Sequence, residues 1–158
     1  MVEMKLEQVT AEIPLRQMVT FRLAHLHARI NAQAARILNE SAGISLSQWR
    51  ILVMIEIYGK ITPTEYARRT EIDKGLVSRT VKGMIKEGLL SSEPSVSDHR
   101  SHLINMTKKG YAAFEKARPH MRNRQAHLLD SMTSSERKAL FSALEKMELA
   151  IDEMESQT

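Results

Sequence analysis

Residues 62–106 read TPTEYARRTEIDKGLVSRTVKGMIKEGLLSSEPSVSDHRSHLINM, and this stretch decides the fold. Thr62-Pro63-Thr64-Glu65 marks a helix start twice over. Thr62 and Glu65 have capping-box spacing, so each side chain can satisfy a free backbone N–H of the other. Pro63 falls at the first helical position, where its missing N–H costs nothing. This helix can run to about Arg69. Thr70-Glu71-Ile72 is a break, and Asp73 starts a second helix as its N-cap, ending near Glu87 before Gly88. Two short helices across a three-residue turn suit a helix-turn-helix.

The second helix has two faces. Leu76, Val77, Val81, Met84 and Ile85 recur at helical spacing and are expected in a core. Lys74, Gly75, Ser78, Arg79, Lys82 and Lys86 lie opposite. A recognition helix presents its N-terminal residues to base edges, and cations with a hydroxyl crowd that half here. Gly75 lets the backbone approach a phosphate. The competing reading is an ordinary solvated face of a basic protein.

The residues that follow separate the two readings. Leu89 to Glu93 is an expected strand, and Ser101 to Met106 its antiparallel partner, with Ile104 and Met106 on the buried side. Between them Pro94-Ser95-Val96-Ser97-Asp98-His99-Arg100 is a polar turn. A hairpin with an Arg near its tip, directly after a recognition helix, makes a winged helix-turn-helix. Arg100 can enter a narrow minor groove, where the negative potential is strongest. Asp98 is a poor DNA contact but can hold Arg100 or Arg79 through a charge-assisted pair.

The recognition helix, the Asp98-x-Arg100 wing and Ile104-x-Met106-Thr107-x-x-Gly110 together resemble the MarR family of bacterial transcription regulators. Met106 stands where that family usually has Leu, a mild change between apolar side chains. The resemblance runs from roughly Leu15 to Met154. It implies a triangular homodimer and control by a small molecule held between dimerisation helices and winged helix.

Composition fits this reading. The chain has 158 residues, no cysteine and a net charge of +4. Disulfides, thiol redox sensing and a Cys-based zinc site are therefore excluded. There is no apolar run of about 20 residues and no signal-peptide core at the N-terminus, so a cytoplasmic protein without membrane contact is expected. Charge is uneven. Lys60 to Arg124 holds 14 Lys/Arg and 7 Asp/Glu, a net of +7, and the remainder nets −3. Positive charge gathered on the winged-helix segment is an electrostatic footprint for nucleic acid.

The flanks carry long helices. One is expected from about Ile13 to Asn39, with Pro14 in its first turn and Leu15, Val19, Leu23, Leu26, Ile30, Ala34 and Ile37 along one stripe. Ser41-Ala42-Gly43 is a break, and Ser45 or Ser47 can cap the next helix, with Trp49 as a core anchor. Lys60-Ile61 can add a short strand beside the wing. Thr107 is an expected N-cap for a fifth helix marked by Tyr111, Phe114, Met121 and Leu128, with a kink or local break at Pro119. Thr133-Ser134-Ser135-Glu136 is a second capping box. The last helix carries Leu140, Leu144, Met147, Ile151 and Met154, spaced like a coiled-coil seam. One winged-helix core cannot cover both end stripes, but a second subunit can. The expected architecture is mainly α with a small β-hairpin wing. It is read as one domain over 1–158, with dimerisation helices at about 12–40 and 108–156 and the winged helix-turn-helix at about 45–106.

Double-stranded DNA is the expected partner. Its contacts are assigned to Thr62, Thr64, Lys74, Gly75, Ser78, Arg79, Lys82, Asp98 and Arg100. Lys74, Ser78 and Lys82 would hold phosphates, and Arg79 a guanine edge. The expected activity is that of a repressor on a palindromic operator. Arg16, Arg22, His25 and His27, with the aromatics Trp49 and Tyr66, are candidates to clamp a small aromatic acid. No cofactor is expected, and no His pair has the spacing of a helical metal site. There is no phosphate loop, no Ser elbow and no Cys, so an enzyme is not expected. A ligand-independent regulator and a protein-interaction module are the alternatives; the recognition-helix cations argue against the second.

Overall fold

The structure, a computed structural model, describes Pro14, residues 17–94 and residues 102–156. Among the described residues are six helices: α1 (Val19–Ala42), α2 (Leu46–Tyr58), α3 (Pro63–Thr70), α4 (Lys74–Lys86), α5 (Lys108–Asp130) and α6 (Ser134–Ser156). One antiparallel pair, β1 (Leu90–Pro94) and β2 (His102–Met106), completes the set. The chain divides into two compact units, one ending at Ala117 and one beginning at Arg118.

In the first unit the helix ends are where short-range chemistry puts them. Ser45 and Gln48 form a reciprocal capping box at α2. Asp73 caps α4 by accepting the Leu76 N–H at 2.8 Å. Thr62 caps α3 by accepting the Glu65 N–H at 3.0 Å, but the second half of the expected box is absent. The Glu65 carboxylate instead takes Arg69 Nε at 2.9 Å and Nη2 at 2.7 Å, one turn on. A charge-assisted pair outcompetes a neutral N–H for the same oxygen. Arg69 also lies 4.4 Å over the Tyr58 ring, which ties α3 to the end of α2.

Two expectations about α1 change. It starts at Val19, and Pro14 precedes it in a turn closed by the Gln17 N–H. It continues through Ser41 to a left-handed Gly43, which lets the chain donate back to Asn39 and Leu38. Ser41 lies inside the helix, with its hydroxyl donating to Ile37 O at 2.6 Å, and the break falls at Gly43 alone.

The core is built from Leu38, Ile51, Leu52, Tyr66, Met84 and Ile104, each essentially inaccessible. On α4 the buried stripe is Val77, Val81 and Met84 alone. Leu76 and Ile85, expected in the core, are 47% and 37% exposed. Helical periodicity marks an apolar arc, but the neighbouring helices cover only its centre. Trp49 is half-buried and stacks on Phe114 with ring centroids 5.1 Å apart.

The hairpin pairs Leu90 with Met106 and Ser92 with Ile104. Of the two residues expected to be buried on β2, Ile104 is, and Met106 is half-buried. Lys60-Ile61 does sit beside the wing: Ile61 bridges Ile104, whose N–H donates to Ile61 O at 2.8 Å.

Thr107 and Gly110 join the base of the hairpin to the end of α4. The Thr107 hydroxyl donates to Gly88 O at 2.6 Å and accepts the Gly110 N–H at 3.0 Å. The Thr107 N–H donates to Leu89 O at 3.1 Å. Gly110 is buried so tightly that a Cβ there would overlap the Leu89 carbonyl oxygen and lie 3.0 Å from its carbon. This explains the spacing of the Thr-x-x-Gly run: the threonine caps α5 and the glycine admits the Leu89 backbone.

α5 runs unbroken from Lys108 to Asp130 with Pro119 inside, so the expected local break is absent. A proline removes one backbone bond and crowds one carbonyl, which a helix of 23 residues can absorb. In the second unit Thr133 and Glu136 form the expected box. The Thr133 N–H donates to Glu136 at 2.8 Å and the Glu136 N–H to Thr133 at 3.3 Å. None of the described α6 residues is buried, and Leu149 and Met154 are each 61% exposed.

Candidate nucleic-acid interface and adjoining cavities

The solvent face of α4 carries Lys74, Arg79, Lys82 and Lys86, all exposed, with Gly75 and Ser78 half-exposed between them. Among the described residues none of these four cations is held in a salt bridge. The helix is fixed from behind by its buried stripe, by its Asp73 cap and by the Leu89 N–H bonded to Met84 O. The side chains therefore stand on a rigid rod. Gly75 has a local reason to be glycine. A Cβ there would come within 3.1 Å of the Asp73 carboxylate and 3.4 Å of the Arg79 guanidinium. Its absence protects the cap and leaves Arg79 room.

Thr62 and Thr64 sit at the start of α3. Thr62's oxygen is committed to the cap, leaving its hydroxyl proton to donate outward, while Thr64 is exposed. Asp98 and Arg100 lie outside the described residues, as does Arg16. The connection from α3 to α4 is held by Glu71 at φ 55°, the sole described non-glycine residue in the left-handed region.

The residues expected to hold a small molecule divide between two places. His27, Trp49 and Tyr66 line one cavity of about 580 Å³ together with Arg50, Val53, Met54, Thr70 and Ile72. Arg22 and His25 line a different cleft on α1 with Leu26 and Arg29. One helix face cannot present His25 and His27 together, because residues two apart point to different sides.

Arg50 is the residue that periodicity did not single out. Its signal was present: α2 reads LSQWRILVMIEIY, with one cation in an apolar helix. Arg50 Nη2 donates to Asn31 Oδ1 at 3.0 Å, and Asn31 Nδ2 lies 2.9 Å from His27 Nε2. Because the amide oxygen is taken by Arg50, the amide nitrogen must donate to His27. Tyr66 is buried beneath; burial pushes its phenol pKa up, and the nearby Arg50 charge opposes that. A second cavity of about 200 Å³ shares Arg50, Tyr66 and Ile72 with the first. It reaches Leu76, Val77 and Thr80 on α4. Among the described residues no group of three or more His, Asp or Glu could hold a metal ion.

A sequence model described as the MarR family matches residues 42–101, which span α2 to the wing. Over these residues the chain is similar to the MarR family. It is 27% identical over 108 residues to the HTH-type transcriptional regulator BilQ of Clostridium symbiosum, covering 68% of this chain and 75% of that one. The fold is that of a MarR/EmrR family transcriptional regulator from Acinetobacter, with a TM-score of 0.79 at 23% identity over 89% of this chain and 99% of that one. A mutant MarR of E. coli solved in complex with operator DNA matches with a TM-score of 0.69 at 24% identity, over 85% and 99%. No helix of the described residues is long and apolar enough to cross a membrane.

Proposed function

We propose that this protein is a MarR-family regulator that binds double-stranded DNA as a two-fold homodimer and represses transcription by occupying a palindromic operator, from which a small molecule releases it. The observation that carries the reading is the exposed cation row of α4 on a helix pinned from behind. Lys74, Ser78 and Lys82 hold phosphates and fix the register; Arg79, between two bare glycine positions, reaches a base edge, most naturally guanine. Arg100, with Asp98 as its holder, reads the minor groove beside it, and Thr62 and Thr64 add phosphate contacts.

Dimerisation is supported by the apolar residues left in the open at both ends. Val19 and Leu26 on one face of α1, and Leu140, Ile151 and Met154 on one face of α6, are 40–61% exposed. Apolar stripes of this length on helices of 24 and 23 residues are covered in a second copy. If four cations per subunit engage phosphate, eight per dimer give a log–log salt slope of about −7.

Ligand control is supported by the larger cavity. Arg50 offers a guanidinium for a carboxylate, and Trp49, Tyr66 and Met54 make an apolar wall for an aromatic ring. The wall formed by Arg50, Tyr66 and Ile72 also bounds the smaller cavity under α4, so displacement of that wall reaches the recognition helix. A small aromatic acid is the preferred ligand class.

Site selection from random duplex DNA with the purified protein at near-physiological salt tests the reading. The expected product is a palindrome with half-site centres about 10 bp apart. Enrichment of an unpaired half-site, or salt-sensitive bulk binding with no enrichment, refutes the dimeric operator. A shift in thermal denaturation on a panel of aromatic acids, lost in Arg50→Ala, tests the ligand; no shift with any acid refutes that ligand class.

A further inference from the structure

We infer that Leu76 is a sequence-reading residue, and that it recognises the C5-methyl group of a thymine beside the base pair read by Arg79. The inference rests on the DNA-binding reading of α4 and goes further by assigning a second base contact of different chemistry. Leu76 is 47% exposed although helical spacing groups it with the core residues. It is the third residue of α4, in the N-terminal half that a recognition helix presents to base edges.

Its direction on the helix follows from 100° per residue. Leu76 lies about 60° round the axis from Arg79 and about 20° from Gly83, on the opposite flank of Arg79 from Ser78 and Lys82. The α4 face therefore has a polar flank, a central guanidinium and an apolar flank. Gly83 sharpens the apolar flank, since a Cβ there would meet nothing within 4 Å. The helix surface beside Leu76 is bare and can lie close to base edges. Thr80, the other neighbour, spends its hydroxyl proton on Leu76 O at 2.9 Å and so does not compete as a donor.

An isolated exposed leucine on a protein surface needs no explanation. This one differs in its setting, within a row of exposed cations on the helix that meets the major groove. There, thymine alone offers an apolar group, and contact with its methyl is the natural role of an aliphatic side chain. Three residues of helix advance about 4.5 Å, against about 3.4 Å per base pair. The thymine is thus one or two base pairs from the guanine read by Arg79.

The test uses duplexes selected from random DNA by the wild-type protein. Each thymine is replaced in turn by uracil, which keeps every hydrogen-bonding group and lacks the methyl. The expected result is one sensitive position per half-site. Loss of one buried methyl contact weakens binding about fourfold, and about fifteenfold when both half-sites are changed. Leu76→Ala, which should lower the unfolding midpoint only slightly because about half of Leu76 is exposed, binds the thymine and uracil duplexes equally. Wild-type binding with no uracil-sensitive position overturns the inference while leaving the DNA-binding reading intact. A Leu76→Ala protein that keeps the wild-type uracil sensitivity does the same. Failure of the wild type to enrich any duplex overturns both.

Discussion

Replacing Gly110 with alanine should destabilise the protein, whereas the same replacement at Gly83 should stabilise it. Both glycines lie inside helices, so alanine gains about 0.5–1 kcal/mol at each from lost chain freedom in the unfolded state. Their surroundings differ. At Gly83 a Cβ meets nothing within 4 Å, and the gain stands alone. At Gly110 the Cβ overlaps the Leu89 carbonyl, a backbone group that cannot rotate aside. Relief requires α5 to retreat from the end of α4. Overpacking of this kind costs about 1–3 kcal/mol. Retreat also stretches the Thr107 bonds to Gly88 and Leu89, at about 1 kcal/mol each. The net expectation is a loss of about 2–4 kcal/mol. Urea unfolding at one fixed protein concentration measures it, because any association would make the midpoint concentration-dependent. With a slope of about 2 kcal/mol per molar, Gly110→Ala should lower the midpoint by about 1–2 M and Gly83→Ala should raise it slightly. A Gly110→Ala protein as stable as Gly83→Ala would show that α5 and the Leu89 backbone do not approach as described.

Glu71→Gly should raise the melting temperature by about 2–4 °C in a thermal scan, since a left-handed non-glycine residue costs about 1–2 kcal/mol, partly offset by glycine's freedom when unfolded; no rise would mean the turn relaxes at no cost. Burial raises the Tyr66 pKa above the unfolded value of about 10, so its contribution to stability is complete below pH 10 and is lost as pH climbs through the folded pKa. Melting temperatures between pH 8 and 11.5 should fall at the alkaline end, and Tyr66→Phe should flatten that fall. Glu136 titrates below the ordinary carboxylate range because the Thr133 N–H and hydroxyl bind its charged form. The stabilisation it provides is present above the unfolded pKa of about 4.3 and disappears as pH falls through the folded one. An NMR titration should find the depressed value, with Thr133→Ala returning it toward normal. Combined Arg79→Ala and Arg100→Ala substitution should abolish selective duplex binding in a mobility-shift assay while leaving the unfolding midpoint unchanged; undiminished affinity would favour a protein-interaction role for the winged helix.

The features legible in the sequence are those decided within a few residues. Ser45, Thr62, Asp73, Thr107 and Thr133 all cap as their spacing dictates, because a cap needs only the next three backbone N–H groups. The Thr-x-x-Gly run was legible as a pattern, but its cause, a carbonyl 21 residues earlier in the chain, was not. Periodicity assigned Leu76 and Ile85 to the core because it reports the direction of an apolar arc and not how far neighbours extend over it. Glu65 turned from Thr62 to Arg69 because two partners compete for one carboxylate, and only geometry decides between them. His27, Trp49 and Tyr66 line one cavity, whereas spacing does not single out Arg50, because its partner Asn31 lies on another helix.

The single bridge between Ile61 and Ile104 has a further meaning for how such a protein can change. Ile61 immediately precedes the Thr62 cap of α3, and Ile104 sits mid-way along β2. The hairpin is thus clamped at its root to the same point that launches the helix-turn-helix, and five paired positions lock its register above that root. Changes of length between Pro94 and His102 fall beyond the last paired position and leave this root as it is. The helix and the hairpin can therefore diversify on separate schedules: one by trading side chains on its exposed face, the other by changing length above a fixed socket.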